Sequence, residues 1–218
     1  ASYRRQRQMC IRDSNLPNGF LGINIGPNKD SKNKEEDYYL CLSKLASYAS
    51  YLTINISSPN TEGLRDFHDQ KALEKLLSGI NKIKKESNIK KPIVIKLSPD
   101  IQDREISNII ELITKFRIDG IIISNTTDSN RDSLSDARKN EKGGLSGKPL
   151  KNLSTSLIKK FYRETKGKLE IIGVGGIDSG QAAFEKICAG ANAVQLYTGM
   201  VYKGPGVVKN MKKDLISI

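Results

Sequence analysis

The sequence predicts an α/β fold of the (β/α)8-barrel (TIM) type, with about six of the eight strand–helix units present. Three observations carry this expectation. Short β-branched runs alternate strictly with amphipathic stretches, each run is nearly all apolar, and each ends in a polar or glycine cluster. A doubly wound parallel sheet fits the alternation equally well, but it gathers its ligand groups at one switch point. A barrel uses the C-terminal ends of many strands, which is the pattern here. A closed barrel needs eight strands and typically about 250 residues, so the 218-residue chain reads as a fragment short of two strands on its N-terminal side.

Residues 1–15 stand apart. They are dense in Arg and Gln (Arg4, Arg5, Arg7, Arg12), aperiodic, and begin without Met. A disordered or foreign leader is expected there, and the barrel domain over 16–218. Strands are expected at 21–25, 51–56, 93–97, 120–123, 169–174 and 193–196. Between them, helical spacing appears over 38–48 (Leu42, Leu45, then Ala49) and 71–85 (Leu73, Leu76, Leu77, Ile80, Ile83). Ile106, Ile109, Ile110 and Ile113 mark a third helix, and Leu153, Leu157, Ile158 and Phe161 a fourth. Residues 179–189 make a short helix that Gly190 ends as a left-handed cap.

Composition sets outer limits. With 37% hydrophobic and 28% charged residues the chain is globular. It has no apolar run near the roughly 20 residues of a membrane span, and no hydrophobic signal segment. Cys10, Cys41 and Cys188 are odd in number and lack CxxC spacing, which argues for a reducing compartment and against a zinc site. The lone His68 offers neither a metal cluster nor a Ser–His pair, and reads as a satisfied loop histidine. The net charge of +12 collects in helical stretches such as 81–91, 159–163 and 209–213 without interleaved aromatics. Solvated helix faces explain it best, an anionic leaflet second, nucleic acid last.

The strand ends carry the chemistry. Gly173-Val-Gly-Gly-Ile177 lets bare backbone N–H groups approach an anion, Asp178-Ser179 can cap the next helix, and Tyr197-Thr198-Gly199 forms a second wall. Taken alone, a tight turn between strand and helix explains the glycines equally well. Lys96 alternates onto one face of a buried strand, where it must find an anion or lose its charge. A structural ion pair is the alternative to a role beside a bound electron acceptor. In 55–64, Asn55 and Ser57 alternate inward, Pro59 breaks the ladder, and Ser58 and Asn60 project from the loop. Without a nearby histidine, Ser58 is no acyl-transfer nucleophile, but it could relay a proton. Asn125 and Thr126 offer uncharged hydrogen bonds suited to an amide-rich planar substrate.

Seven motifs closely resemble the flavin-dependent dihydroorotate dehydrogenases in their quinone-linked (class 2) branch. They are GINIGPNKD (22–30), INISSPNTEGLR (54–65), VIKLSPD (94–100), DGIIISNTT (119–127), GGLSGKPL (143–150), IIGVGGIDSG (171–180) and VQLYTGMVYKGP (194–205). The likeness runs from about Leu16 to the C-terminus. It implies FMN-dependent oxidation of dihydroorotate to orotate, with quinone as acceptor, in pyrimidine synthesis. It places the catalytic base on Ser58, where class 1 enzymes carry cysteine. It places FMN contacts on Asn24, Asn55, Lys96, Ser124, Gly147, Gly176, Tyr197 and Thr198, and orotate contacts on Asn60, Asn125 and Thr126. No metal and no nucleic acid are implied. The family's membrane-associating segment, its first two strands with a substrate-binding lysine, and its Asn-Arg-x-Gly-Phe loop are not seen; Asn18-Gly19-Phe20 is a faint echo. The expectation is therefore a competent enzyme, peripheral at the cytoplasmic face of a bacterial inner membrane, of which these residues are a soluble, inactive piece. Class 1 enzymes and the FMN-dependent tRNA-dihydrouridine synthases are the alternatives. Ser58 stands where the synthases need cysteine, and Cys41 and Cys188 fall on helices. A non-enzymatic remnant that keeps the phosphate loops is the third.

Overall fold

The computed structural model describes residues 19–218 apart from 62, 130 and 133. The leader expected over 1–15 lies outside them. Six strands run β1 (Gly22–Ile25), β2 (Tyr51–Asn55), β3 (Ile93–Leu97), β4 (Gly120–Ile123), β5 (Glu170–Val174) and β6 (Ala193–Gln195). The helices are α1 (Lys34–Leu45), α2 (Gln70–Glu86), α3 (Asp103–Lys115), α4 (Lys151–Thr165), α5 (Gly180–Cys188), α6 (Thr198–Lys203) and α7 (Val207–Ser217).

The strands lie in one parallel sheet in the order β1-β2-β3-β4-β5-β6. Because parallel crossovers are right-handed, an order without reversal puts every helix on the same face. That excludes the doubly wound alternative. The free face must then become concave, and one contact shows that it does. Gln195 on β6 donates from Nε2 to the Tyr51 hydroxyl on β2 at 2.9 Å. In a flat sheet those strands would stand about 19 Å apart, four spacings of about 4.8 Å.

Register sorts the side chains. Asn24 pairs with Thr53, and Asn55 with Lys96, so these residues share the concave face with Tyr51 and Gln195. The alternate positions Ile25, Leu52, Ile54, Ile93, Ile95, Leu97, Ile121, Ile123 and Ile171 are at most 2% exposed. They form one core with Leu42 of α1, Leu73, Leu76, Leu77 and Ile80 of α2, Ile106, Ile109, Leu112 and Ile113 of α3, and Leu157, Ile158 and Phe161 of α4. The apolar runs therefore face the helices on one side, while the concave side is free to be polar.

Local chemistry sets the helix ends. The Asn33 side chain accepts from Glu36 N, with Glu35, Glu36 and Asp37 in the first turn, so α1 begins four residues before the expected start at Tyr38. Its tail tightens into a 3-10 turn at Ala46–Tyr48, and Ala49 lies beyond it. Asp69 accepts from Lys71 N and Ala72 N to start α2, and Ser179 from Ala182 N to start α5. The α5 end is a Schellman turn: Ala191 N donates to Lys186 O at 3.0 Å and Gly190 N to Ile187 O at 2.9 Å. Gly190 takes a φ of 112° as the cap. Helices α6 and α7 were not delineated from the sequence beyond the basic stretch 209–213. Among the described residues no helix is long and apolar enough to cross a membrane.

Candidate active site

A cleft of about 930 Å³ opens at the C-terminal ends of β3 to β6, a size suited to a small-molecule cofactor. Its floor carries Lys96. Burial pushes the Lys96 ammonium below its ordinary pKa, and among the described residues it has no ion-pair or hydrogen-bond partner. The structural ion pair weighed as the alternative is not found. An anion entering the cleft would give this cation a partner.

One wall is the glycine turn after β5, with Val174 to Asp178 in the lining. Gly176 has a φ of 69°, and a Cβ there would lie 2.5 Å from Lys151 Cβ and 2.7 Å from Lys151 Cα. Only glycine allows this turn and the start of α4 to approach so closely. Facing it is the segment 144–150 that leads into α4, with Gly147 at its centre. The third wall is Leu196 to Gly199, where Thr198 Oγ1 donates to Ser146 Oγ at 2.9 Å. Tyr197, 79% exposed, stands at the mouth. Asp178 does not cap α5: its carboxylate lies 3.4 Å from Lys203 and 3.7 Å from Lys148, two cations at the rim.

A polar knot joins β2 to β4. Asn55 Oδ1 accepts from Ser57 Oγ (3.1 Å), Ser57 N (3.3 Å) and Asn125 Nδ2 (3.2 Å). Asn125 Nδ2 also donates to Ser57 Oγ at 3.0 Å, and Asn125 Oδ1 accepts from Thr126 N at 2.8 Å. Ser57 is fully buried in this knot, while its neighbour Ser58 is half-buried and accepts from Asn60 N at 3.3 Å.

Of the residues expected from the sequence, the cleft brings together Lys96, Ser124, Asn125, Thr126, Gly147, Gly176, Tyr197 and Thr198. Asn55 reaches it through Asn125. Asn24, exposed on the edge strand β1, and Ser58 and Asn60, in the loop after β2, lie outside its lining. His68 is buried in a 3-10 turn (Arg65–His68) rather than in an open loop, and accepts from Ser98 N at 3.5 Å. Burial lowers its pKa, and with Ser98 as its partner the satisfied reading holds.

Two groups went unnoticed in the sequence. Arg65 lies 2.7 Å from Asp128 and 3.1 Å from Asp100, and donates to Thr126 O at 3.3 Å. Thr127 Oγ1 in turn donates to Asp100 Oδ1 at 2.5 Å. The loops after β2, β3 and β4 are thus tied at one guanidinium, whose only sequence signal was opposite charge at successive strand ends. Arg131 donates to the carbonyls of Lys139, Glu141 and Gly143.

Parallel strands wound in one direction, with the ligand cleft at their C-terminal ends, define a barrel of the (β/α)8 class. The comparisons narrow the class. The family model for dihydroorotate dehydrogenase matches residues 4–218, and the chain belongs to that family. It is 46% identical over 204 residues to the dihydroorotate dehydrogenase (quinone) of Vibrio parahaemolyticus, covering 91% of this chain and 61% of that protein. Against the protein of the same name from Rhodopseudomonas palustris (strain BisA53) the identity is 41%, over 91% of this chain and 56% of the relative. The crystal structure of ligand-free DHODH from Eimeria tenella superposes with a TM-score of 0.89 at 34% identity, covering 98% of this chain and 65% of that one. The resemblance to the quinone-linked branch agrees with these names. The chain spans 61% of the length of the first of these relatives.

Proposed function

We propose that this chain supplies most of the active site of a quinone-linked dihydroorotate dehydrogenase that binds FMN and oxidises dihydroorotate to orotate. The observation that carries the reading is the unpaired, desolvated Lys96 ammonium on the floor of a cleft walled by a glycine turn. A phosphate-bearing flavin fits this donor set. The cradle at Gly176 has room for backbone but not for a Cβ, and the cleft volume matches such a ligand.

In this reading Lys96, Ser124, Asn55 and Asn24 hold the flavin ring side, while Gly147, Gly176, Tyr197 and Thr198 hold its phosphate side. Flavin, when bound, supplies the hydride acceptor. Lys96 stabilises the negative charge that reduction brings to the site. Asn125, Thr126 and Asn60 present amide and hydroxyl groups to a planar, amide-rich substrate. The knot with Asn55 and Ser57 fixes the Asn125 side chain before substrate arrives, so little ordering remains to be done on binding. Ser58 takes the substrate proton. Its oxygen is oriented by the Asn60 amide, and as it takes the substrate proton it must release its own hydroxyl proton onward, because His68 is committed to Ser98. Quinone is the final acceptor, which places the enzyme beside a membrane.

FMN fluorescence quenching on titration with the chain tests the reading. Saturable binding that weakens about ten-fold or more in Lys96→Met is expected. No saturable binding, or equal affinity in Lys96→Met, would overturn it.

A further inference from the structure

Lys186 lies on α5 with its side chain fully buried. Its Nζ donates to Lys151 O at 2.8 Å, to Thr155 Oγ1 at 2.7 Å, and to Ser154 Oγ. All three donors of the ammonium are used, and all three acceptors belong to the opening turns of α4. None is a carboxylate. Its neighbour Glu185 is engaged instead by Lys151 Nζ at 2.8 Å.

This placement is unfavourable twice over. A buried lysine normally finds a carboxylate, and a helix N-terminus, carrying positive partial charge, is where a cation is least welcome. What the placement achieves is mechanical and electrostatic. Ser154 Oγ is within hydrogen-bond distance of Gly175 O at 3.4 Å. A Cβ on Gly176 would lie only 2.7 Å from Lys151 Cα. Behind the turn, a Cβ on Gly173 would meet Lys186 Cβ at 3.2 Å. Lys186 therefore sits at the back of the glycine turn and joins it to the start of α4, which follows directly on the facing wall 144–150. A dianion in front of the turn would offset both unfavourable terms, since it would attract the cation and the helix N-terminus alike.

We propose that Lys186 is a positioning residue of an anion subsite: it locks the first turns of α4 against Gly175–Gly176 and places a fixed positive charge behind the bound phosphate. The inference rests on the FMN reading of the cleft and goes beyond it, because the lysine touches neither flavin nor substrate.

The test compares FMN with riboflavin, which lacks the phosphate, by fluorescence quenching on the full chain and on Lys186→Met. A positioning role predicts that Lys186→Met loses FMN affinity by about ten-fold or more while riboflavin affinity holds, so the FMN-to-riboflavin ratio collapses. Loss of both ligands in equal proportion would reduce Lys186 to a packing residue and overturn the proposal. FMN affinity unchanged in the variant would overturn it too, and leave the flavin reading standing. A wild-type chain that binds the two flavins alike would remove the anion subsite and the proposal together. Ser154→Ala keeps the charge but cuts the link to Gly175. It is expected to lower the same ratio by a smaller factor, and an unchanged ratio there would contradict the locking role.

Discussion

Gln195 and Tyr51 meet by a 2.9 Å hydrogen bond across the concave face, although four strand steps separate β6 from β2. The contact measures the curl of the sheet. Tyr51→Phe keeps the ring but removes the acceptor, and is expected to destabilise the fold by about 1 kcal/mol. In urea unfolding the midpoint should fall with the slope unchanged. An unmoved midpoint would mean that the contact contributes nothing to closure.

Gly176→Ala places a Cβ against the Lys151 backbone at a φ of 69°. The fold should lose about 1–3 kcal/mol, and FMN affinity should fall with it, while far-UV circular dichroism stays that of the parent. If FMN binds the variant as well as the parent, the glycine turn is not the phosphate wall.

Arg65 ties three loops through Asp100, Asp128 and the Thr126 carbonyl. Because the pairs are partly exposed, Arg65→Met should cost only about 1 kcal/mol globally. Its local effect should be larger. Hydrogen exchange is expected to speed up at Thr127 and Leu145, which bond each other's backbone across the loop, while Ile95 in β3 keeps its protection. Arg65→Lys, without the planar fork, should restore little. Equal exchange in parent and variant at Leu145 would remove the clamp.

Lys186 gives a pH signature. Burial first, then the Lys151 charge, lower its pKa from the ordinary 10.5 to about 8, with Glu185 opposing. Below about pH 8 the lysine is charged in both states, and folding carries the full burial penalty. Between about 8 and 10.5 the unfolded chain holds the proton and the folded chain does not. Stability therefore gains with pH in that window, relative to Lys186→Met, by about 3 kcal/mol at most. Parallel pH profiles for parent and variant would show that the ammonium carries no such penalty.

Much of this was legible in the sequence, for identifiable reasons. Strands β3 and β4 fall on their expected residues because β-branched runs buried on both faces have few other fates. Lys96 was visible as a break in such a run. The start of α1 was missed because it rests on a cap and three acids, with only Tyr38 and Leu42 buried along the helix. Strand β6 has only three residues, and α6 begins directly from the Tyr197–Thr198 wall. Lys186 and Arg65 were illegible as functional groups because their partners stand 31 to 63 residues away in the chain. A lysine in a helix reads as surface until its neighbours in space are known. Ser58, Asn60 and Asn24 carry their expected roles only through resemblance, since no cleft-lining contact locates them.

The most direct test of the central claim is an amide chemical-shift titration of the 15N-labelled chain with FMN and, separately, with riboflavin. FMN is expected to shift Gly175, Gly176 and Thr198 strongly and saturably, both flavins to shift Ser124 and Asn125 near Lys96, and riboflavin to leave the glycine turn quiet. Shifts elsewhere, or none at Gly175 and Gly176 with FMN, would contradict the claim.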